Sequence, residues 1–438
     1  MNDAEFGSLI GQLLLLITAA HVFGWLLTRL QQPRVIGEIF AGVLLGPSIL
    51  GHFAPMISAA IFSTAGGGSS TNHDVILGFL YNLGLLLLMF VSGAETKGVF
   101  GRGDRREIAW LGIVGTGLPF LLVIAGYWWL PLGVLSGPTS PRISVVLVVG
   151  IAVSVTSIPV ISRILHDLGI LHTRFSRLVL GVAMVEDIAL WVILAIATAL
   201  AKSSTVPRLD IVRHVFATLA YFAIGLRIAP AVLTRLSRVR WNVLASVSPI
   251  GYVVVVLFAY AGLAAALDVS IVFAAFLAGF GIVANAPHLS DALDSLRKLS
   301  FAVFIPIYFA VVGYRLDLSK TFSFSLFAVF FVAACSVKLL TVSLGARLGG
   351  FGWRDAANLA MATNARGGPG IVLASVAYDA GIINAAFYTT LVLVAVLTSQ
   401  AAGAWLRYVL RSGWPLLSPQ AADLTVVVMN PANENQGT

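Results

Sequence analysis

The chain has 438 residues, of which 58% are hydrophobic and only 11% charged, and its mean hydropathy is +0.95, whereas soluble domains carry roughly 25% charged residues. That excludes an ordinary soluble domain and defines a polytopic membrane protein. The net charge of +8 comes from short basic clusters between apolar runs, so it reports membrane topology and argues against a nucleic-acid partner, which would need a continuous basic stripe.

Apolar runs of about 17 to 25 residues bounded by charge, Gly or Pro mark about thirteen helices. They lie near 6–30, 34–50, 74–97, 106–130, 143–166, 174–201, 211–234, 244–266, 268–285, 288–315, 322–349, 354–378 and 383–411. The fold class is therefore expected to be all-α, spanning the membrane many times. The first run follows an acidic stretch, MNDAEFGSLI, where a secretory signal would be basic, and is expected to remain as a membrane helix.

Helix 2 carries Gly42 and Gly46 at a spacing suited to close helix packing. Glu38 and Glu95, near helix ends, read as local caps or pairs. The connections GGGSST at 66–71 and SGPTSPR at 136–142 read as flexible. The odd-numbered connections and the C-terminal end carry eighteen Lys and Arg, from Arg29 to Arg411, against six in the even-numbered ones. The positive-inside rule then places the N-terminus outside and the C-terminus in the cytoplasm; the cell membrane is the expected location, although the residues themselves do not separate it from an organelle membrane.

Helix 5 reads ISVVLVVGIAVSVTSIPVISRIL, with Thr156, Ser157 and Pro159 at its centre. Helix 6 holds adjacent carboxylates, Glu186 and Asp187, in an otherwise apolar run. A charge at the bilayer centre costs at least about 2.5 to 3.5 kcal/mol, so a partner must offset it. Glu186 lies nine residues from Arg177 at one helix end, and Lys338, the only mid-span charge of helix 11, lies nine from Arg347. At 1.5 Å per residue both are about 14 Å deep, where an ion pair between helices 6 and 11 is expected. Adjacent helical residues point about 100° apart, so one acid can pair while the other stays available. Cys335, the single cysteine, reads as a small packing residue. His166 and His172 read as part of a solvated turn.

Helix 12 reads ANLAMATNARGGPGIVLASVAY, with Asn364, Arg366, Gly367, Gly368, Pro369 and Gly370 at its centre. Proline removes a helical hydrogen bond and glycine eases unwinding, so helices 5 and 12 are both expected to break. If helices 1–6 and 8–13 form two repeats, the breaks occupy the same place in each and run in opposite directions. Inverted repeats with crossed broken helices are the architecture of secondary transporters. The tail after Pro415 reads as disordered, and no glycine-rich nucleotide fingerprint follows the last helix. Residues suited to a cofactor are not evident.

The stretches QQPRVIGEIFAGVLLGPSILG (31–51), SVTSIPVISRILHDLG (154–169), LGVAMVEDIALW (180–191), SVKLL (336–340) and NARGGPGIVLA (364–374) resemble the second monovalent cation:proton antiporter family, over about residues 10 to 410. The resemblance implies that Asp187 is the obligate cation and proton carboxylate, that Glu186 pairs with Lys338, and that an unwound-helix site surrounds Thr156 and Ser157. The first acidic position is Glu where well-characterised sodium exchangers have Asp. The resemblance also implies a homodimer: a scaffold of 1–105 and 241–318, a mobile core of 106–201 and 319–411, a linker helix in 202–240, and a tail from 412 to 438.

The expected function is exchange of Na+ or K+ for H+ by alternating access, without covalent chemistry, so the chain is not expected to be an enzyme. A channel is the first rival, but no TVGYG-like filter occurs and paired breaks favour alternating access. An organic-anion transporter is the second, but its site should be dominated by cations, and here two acids stand beside Lys338.

Overall fold

The computed structural model describes residues 3–30, 32–62, 72–95, 104–138, 141–202, 208–238, 242–267, 269–282 and 289–418. These are almost wholly helical, and the extended pairing among them is one isolated bridge, Ser136 to Ile383. The principal helices are α1 (Asp3–Arg29), α2 (Arg34–Leu45), α3 (Asn72–Glu95), α4 (Arg105–Ala125), α5 (Arg142–Ser154), α6 (Ile158–Asp167), α7 (Arg174–Lys202), α8 (Arg208–Arg227) and α9 (Ala229–Arg238). They continue with α10 (Pro249–Ala266), α11 (Ile271–Ile282), α12 (Ser290–Tyr314), α13 (Phe324–Leu348), α14 (Trp353–Thr363), α15 (Gly367–Asp379) and α16 (Ala385–Arg411). The glycine and serine run at 66–71 and the tail beyond 418 lie outside the described residues, as does part of the 136–142 connection.

Among the described residues nine helices are long and apolar enough to cross a membrane alone. A helix satisfies its own backbone where lipid cannot, which is why the apolar runs fold this way. Large apolar side chains such as Leu14, Phe79 and Val329 are exposed on them. On a soluble protein such surface would be a liability, but here it faces acyl chains. Trp128 and Trp129, among the most exposed, cap the end of α4 where an interfacial aromatic belt belongs.

Of the four remaining expected spans, helix 9 is the single short helix α11 and the other three are built from shorter pieces. Expected helix 5 is α5 plus α6 and expected helix 12 is α14 plus α15. At 13, 10, 11 and 13 residues, none of the four reaches across a hydrocarbon core of about 30 Å. Expected helix 7 is not one straight helix: α8 and α9 meet at a 47° bend, because Pro230 at the second position of α9 cannot continue α8. The breaks in helices 5 and 12 also sit differently from a simple proline kink. Pro159 and Pro369 lie in the first turn of α6 and α15, where a missing N–H costs nothing.

Two backbone-close crossings relate the halves. A Cβ on Gly42 would strike the Ala310 carbonyl, and one on Gly313 would strike that of Ile39, so α2 and α12 touch main chain to main chain. In the same way Gly93 of α3 abuts Phe276 of α11, and Gly279 of α11 abuts Phe90 of α3. Second against tenth and third against ninth is the pairing that an inverted repeat produces. Gly46 joins the first crossing, against Tyr314, as its spacing with Gly42 suggests.

Connections of like parity meet at the same end. Asp104, before α4, accepts from Arg174 at 2.8 Å and from Arg177 at 3.3 Å, both in the first turn of α7. At the other end the connection after α4 is tied to that between α15 and α16: Gly137 N–H to the Ile382 carbonyl at 2.9 Å, and the Asn384 amide to the Val134 carbonyl at 2.7 Å.

Candidate functional site

α7 and α13 pass each other with their single charged levels aligned, and Lys338 Nζ donates to Glu186 Oε1 at 2.7 Å. Both side chains are fully buried. Equal spacing from the terminal arginines makes this possible, and the helix rotation decides which acid takes part: Glu186 does. Asp187 is equally buried, yet no described residue donates a hydrogen bond to either of its oxygens.

The two breaks lie against each other beside this pair. Ser157 N–H donates to the Ala365 carbonyl at 2.7 Å, and the Thr156 hydroxyl donates to the Thr363 carbonyl. A helix that ends at mid-membrane leaves its last carbonyls unpaired and its C-terminus partly negative. Two cations meet that need at the end of α5. Arg366 donates to Ala152 O at 2.9 Å and Val153 O at 3.2 Å, and Lys338 donates to Ser154 O. The same guanidinium reaches Ala334 O at 3.0 Å, Asn364 Oδ1 at 2.9 Å and Cys335 Sγ at 3.7 Å. Cys335 therefore packs against the crossing rather than in a remote apolar run.

The starts of the second half-helices are capped by hydroxyls. Ser157 Oγ accepts from Val160 N–H, and Ser399 Oγ of α16 accepts from Gly367 N–H at 3.1 Å. Arg366 N–H donates to Thr398 Oγ1 at 3.3 Å. Gly367 has a φ of +33°, and a Cβ there would come within 2.7 Å of Ser157 Oγ. Glycine is thus what lets α15 begin against α6. Gly368 and Gly370 follow in the same buried first turn with Pro369.

Three participants were not evident from sequence. Thr116 donates to the same Glu186 oxygen that Lys338 holds. It reaches it from a π-helical turn, Ile113–Gly117 of α4, lying against α13: a Cβ on Gly115 would touch Val342. Such turns shift helical register by one residue and concentrate at functional sites. The glycines around GTG were the available signal, but a lone Thr in an apolar helix ordinarily bonds back to its own turn. Thr398 and Ser399 were likewise hidden in α16, which carries no charge or break near them.

Glu186 Oε2 has no donor among the described residues, and the side chain borders a mostly apolar cavity of about 180 Å³ between α4, α5 and α7. Glu38, as expected, pairs locally, with Arg34 at 2.9 Å. The Glu95 side chain lies outside the described residues.

A fully helical membrane bundle whose crossed half-helices surround a buried cluster of two acids and two cations has the form of a secondary transporter. The chain belongs to the family of transmembrane sodium/hydrogen exchangers, whose model matches residues 16–412. It is 28% identical over 397 residues to Cation/H(+) antiporter 18 of Arabidopsis thaliana, covering 89% of this chain but 47% of the plant protein, about half its length. It is 27% identical to the Na(+)/H(+) antiporter NhaS4 of Synechocystis, covering 89% of this chain and 94% of that one. It is 26% identical to the Na(+)/H(+)-K(+) antiporter GerN of Bacillus cereus, covering 91% and 95%. Among solved structures it shares its fold with the sodium proton antiporter MjNhaP1 of Methanocaldococcus jannaschii, at a TM-score of 0.59, 13% identity, and 92% and 97% coverage.

Proposed function

We propose that the protein exchanges Na+ or K+ for H+ across the cell membrane by alternating access, with Asp187 as the site that the cation and the proton share. The observation that carries this is the Asp187 carboxylate, fully buried with both oxygens unengaged by the described protein, one residue from an acid that is already paired. A bare charge there is costly at mid-membrane. A proton neutralises it, and so does a small hard cation, for which oxygen ligands are suited. Thr156 and Ser157 hydroxyl oxygens and nearby break carbonyls are candidates to complete a cation's coordination.

Coupling follows from charge. With Asp187 empty, moving the site past the scaffold would carry a naked carboxylate through low dielectric, whereas with either ligand bound it is neutral. Only occupied sites change sides, so one ion moves against the other. Glu186 holds Lys338 meanwhile, and Arg366 fixes the end of α5.

The two faces of the proposed scaffold–core boundary differ, in keeping with a conformation closed at one end. Arg315, just after α12, pairs with Asp379 of α15 at 2.9 Å and lies over the ring of Tyr81 of α3, whose hydroxyl donates to the same carboxylate at 3.1 Å. On the charge-bias orientation, N-terminus outside and C-terminus in the cytoplasm, this closed face is external. The protein would work as a homodimer with α1–α3 and α10–α12 as scaffold.

The test is purified protein in liposomes carrying a pH gradient. Adding Na+ or K+ outside should dissipate the gradient, with an apparent cation affinity that weakens as pH falls because protons compete for Asp187. Asp187→Asn should abolish exchange while the protein folds, and Glu186→Gln should only change affinity or pH profile. A folded Asp187→Asn that still exchanges either cation for protons would overturn the assignment.

A further inference from the structure

At the arginine-rich end, opposite the Arg315–Asp379 seal, a cavity of about 570 Å³ opens between the α1–α2 connection and the ends of α6 and α16. Gln32 contributes from the first, Arg163 from α6, and Arg407 and Arg411 from α16; no acidic residue is among the described residues that line it. We infer that this cavity is a binding site for a phosphate-bearing anion, a lipid headgroup or a soluble phosphate ester, held between the α1–α2 connection and the α6–α16 pair.

Basic residues at this end are expected from topology alone, but anchoring arginines point singly toward headgroups. Here three guanidinium-bearing side chains from two helices share one concavity. One is seated inward: the guanidinium nitrogens of Arg407 lie 3.6 Å from where a Cβ on Gly403 would stand, as does Ile164 Cδ1. Arg407 thus folds back along α16 toward Gly403, one turn earlier, in the cavity wall. Gln32 Oε1 is buried without a hydrogen-bond partner among the described residues, and the amide turned over would present its N–H groups to a ligand oxygen.

The sign is wrong for a cation vestibule. It is right for an anion with several oxygens, since guanidinium binds phosphate through paired, charge-assisted hydrogen bonds. The volume falls in the range of about 300 to 1,000 Å³ that accommodates a small organic ligand rather than a lone ion. A ligand spanning both walls would hold them together, so on the exchange reading above it would slow transport; the binding claim itself does not depend on that reading.

The experiment follows thermal unfolding of the purified full chain in detergent. Two probes are titrated, inorganic pyrophosphate and short-chain phosphatidic acid, with phosphatidylcholine of the same chain length as control. A saturable rise in Tm with at least one phosphate probe and none with phosphatidylcholine is expected. A response to phosphatidic acid alone identifies a lipid headgroup site, and a response to pyrophosphate identifies a soluble phosphate site. Losing one paired Arg–phosphate contact should raise the half-saturating concentration at least about tenfold in Arg407→Gln and Arg411→Gln. Arg354→Gln removes the same charge at the same end, beside Trp414 and outside the cavity, and should leave it unchanged. If Arg407→Gln does not fold, Arg411→Gln and Arg163→Gln, both at exposed positions, decide. No saturable shift with either probe, or equal weakening by Arg354→Gln, overturns the site. Binding that stays intact in a protein lacking exchange would count against the proposed function and not against the site.

Discussion

Replacing Lys338 with Ala tests the centre of the bundle most directly. The lysine nitrogen makes two hydrogen bonds in a fully buried setting, to Glu186 Oε1 at 2.7 Å and to the Ser154 carbonyl. Its removal leaves the carboxylate with the Thr116 hydroxyl alone, and leaves the last carbonyl of α5 without its cation. Breaking a buried ion pair from one side costs about 3 to 5 kcal/mol, because the remaining charge is uncompensated. With both side chains buried no solvent screening reduces that figure.

The loss should be recoverable by removing the stranded charge. In the doubly substituted Glu186→Leu/Lys338→Met protein neither charge is present, and most of the lost stability should return. Unfolding of the three proteins in detergent measures both effects. A deficit below about 1 kcal/mol, the net worth of an ordinary hydrogen bond, or no recovery in the double variant, would refute the ion-pair reasoning.

Thr116→Val keeps the volume but removes a donor to a charged acceptor, which should cost about 1.5 to 3 kcal/mol and displace the pH profile of exchange, with Thr116→Ser restoring both. Arg366→Lys should be severely destabilising, since one ammonium cannot replace a fork serving Ala152, Val153, Ala334 and Asn364; each buried carbonyl left bare costs about 1 to 3 kcal/mol, and the yield of monodisperse protein reports it. Gly42→Ala should destabilise by at least about 1 to 3 kcal/mol through overpacking, because its Cβ meets the Ala310 backbone, whereas Gly78→Ala, with nothing within 4 Å, should be silent; their melting temperatures compared side by side check the α2–α12 crossing.

Much of the bundle is written locally. A run of apolar residues must become a helix in lipid whatever surrounds it, and Thr156-Ser157 and Asn364 to Gly367 interrupt their runs by composition. Mid-span depth also follows from counting, since rise per residue is fixed; that is how Lys338 and the acids of α7 could be matched without coordinates. Charge bias in the connections is likewise a property of the sequence.

Helix rotation is not local, and it decided the rest. Counting along α7 and α13 gives the level of Glu186, Asp187 and Lys338 but not which side each faces, so only packing selected Glu186 as the partner and left Asp187 unengaged by the described residues. A π turn in α4 changes register by a residue, which no periodicity in an apolar segment reveals, and it alone brings Thr116 to Glu186. The use of Arg366 to close the end of α5 joins residues more than 200 positions apart. The cavity at the arginine-rich end likewise exists only because the α1–α2 connection meets the ends of α6 and α16 across the bundle. Hydrophobicity sets which segments are buried and how deep; the fit between their faces sets which polar atoms meet, and that fit is a property of the whole fold.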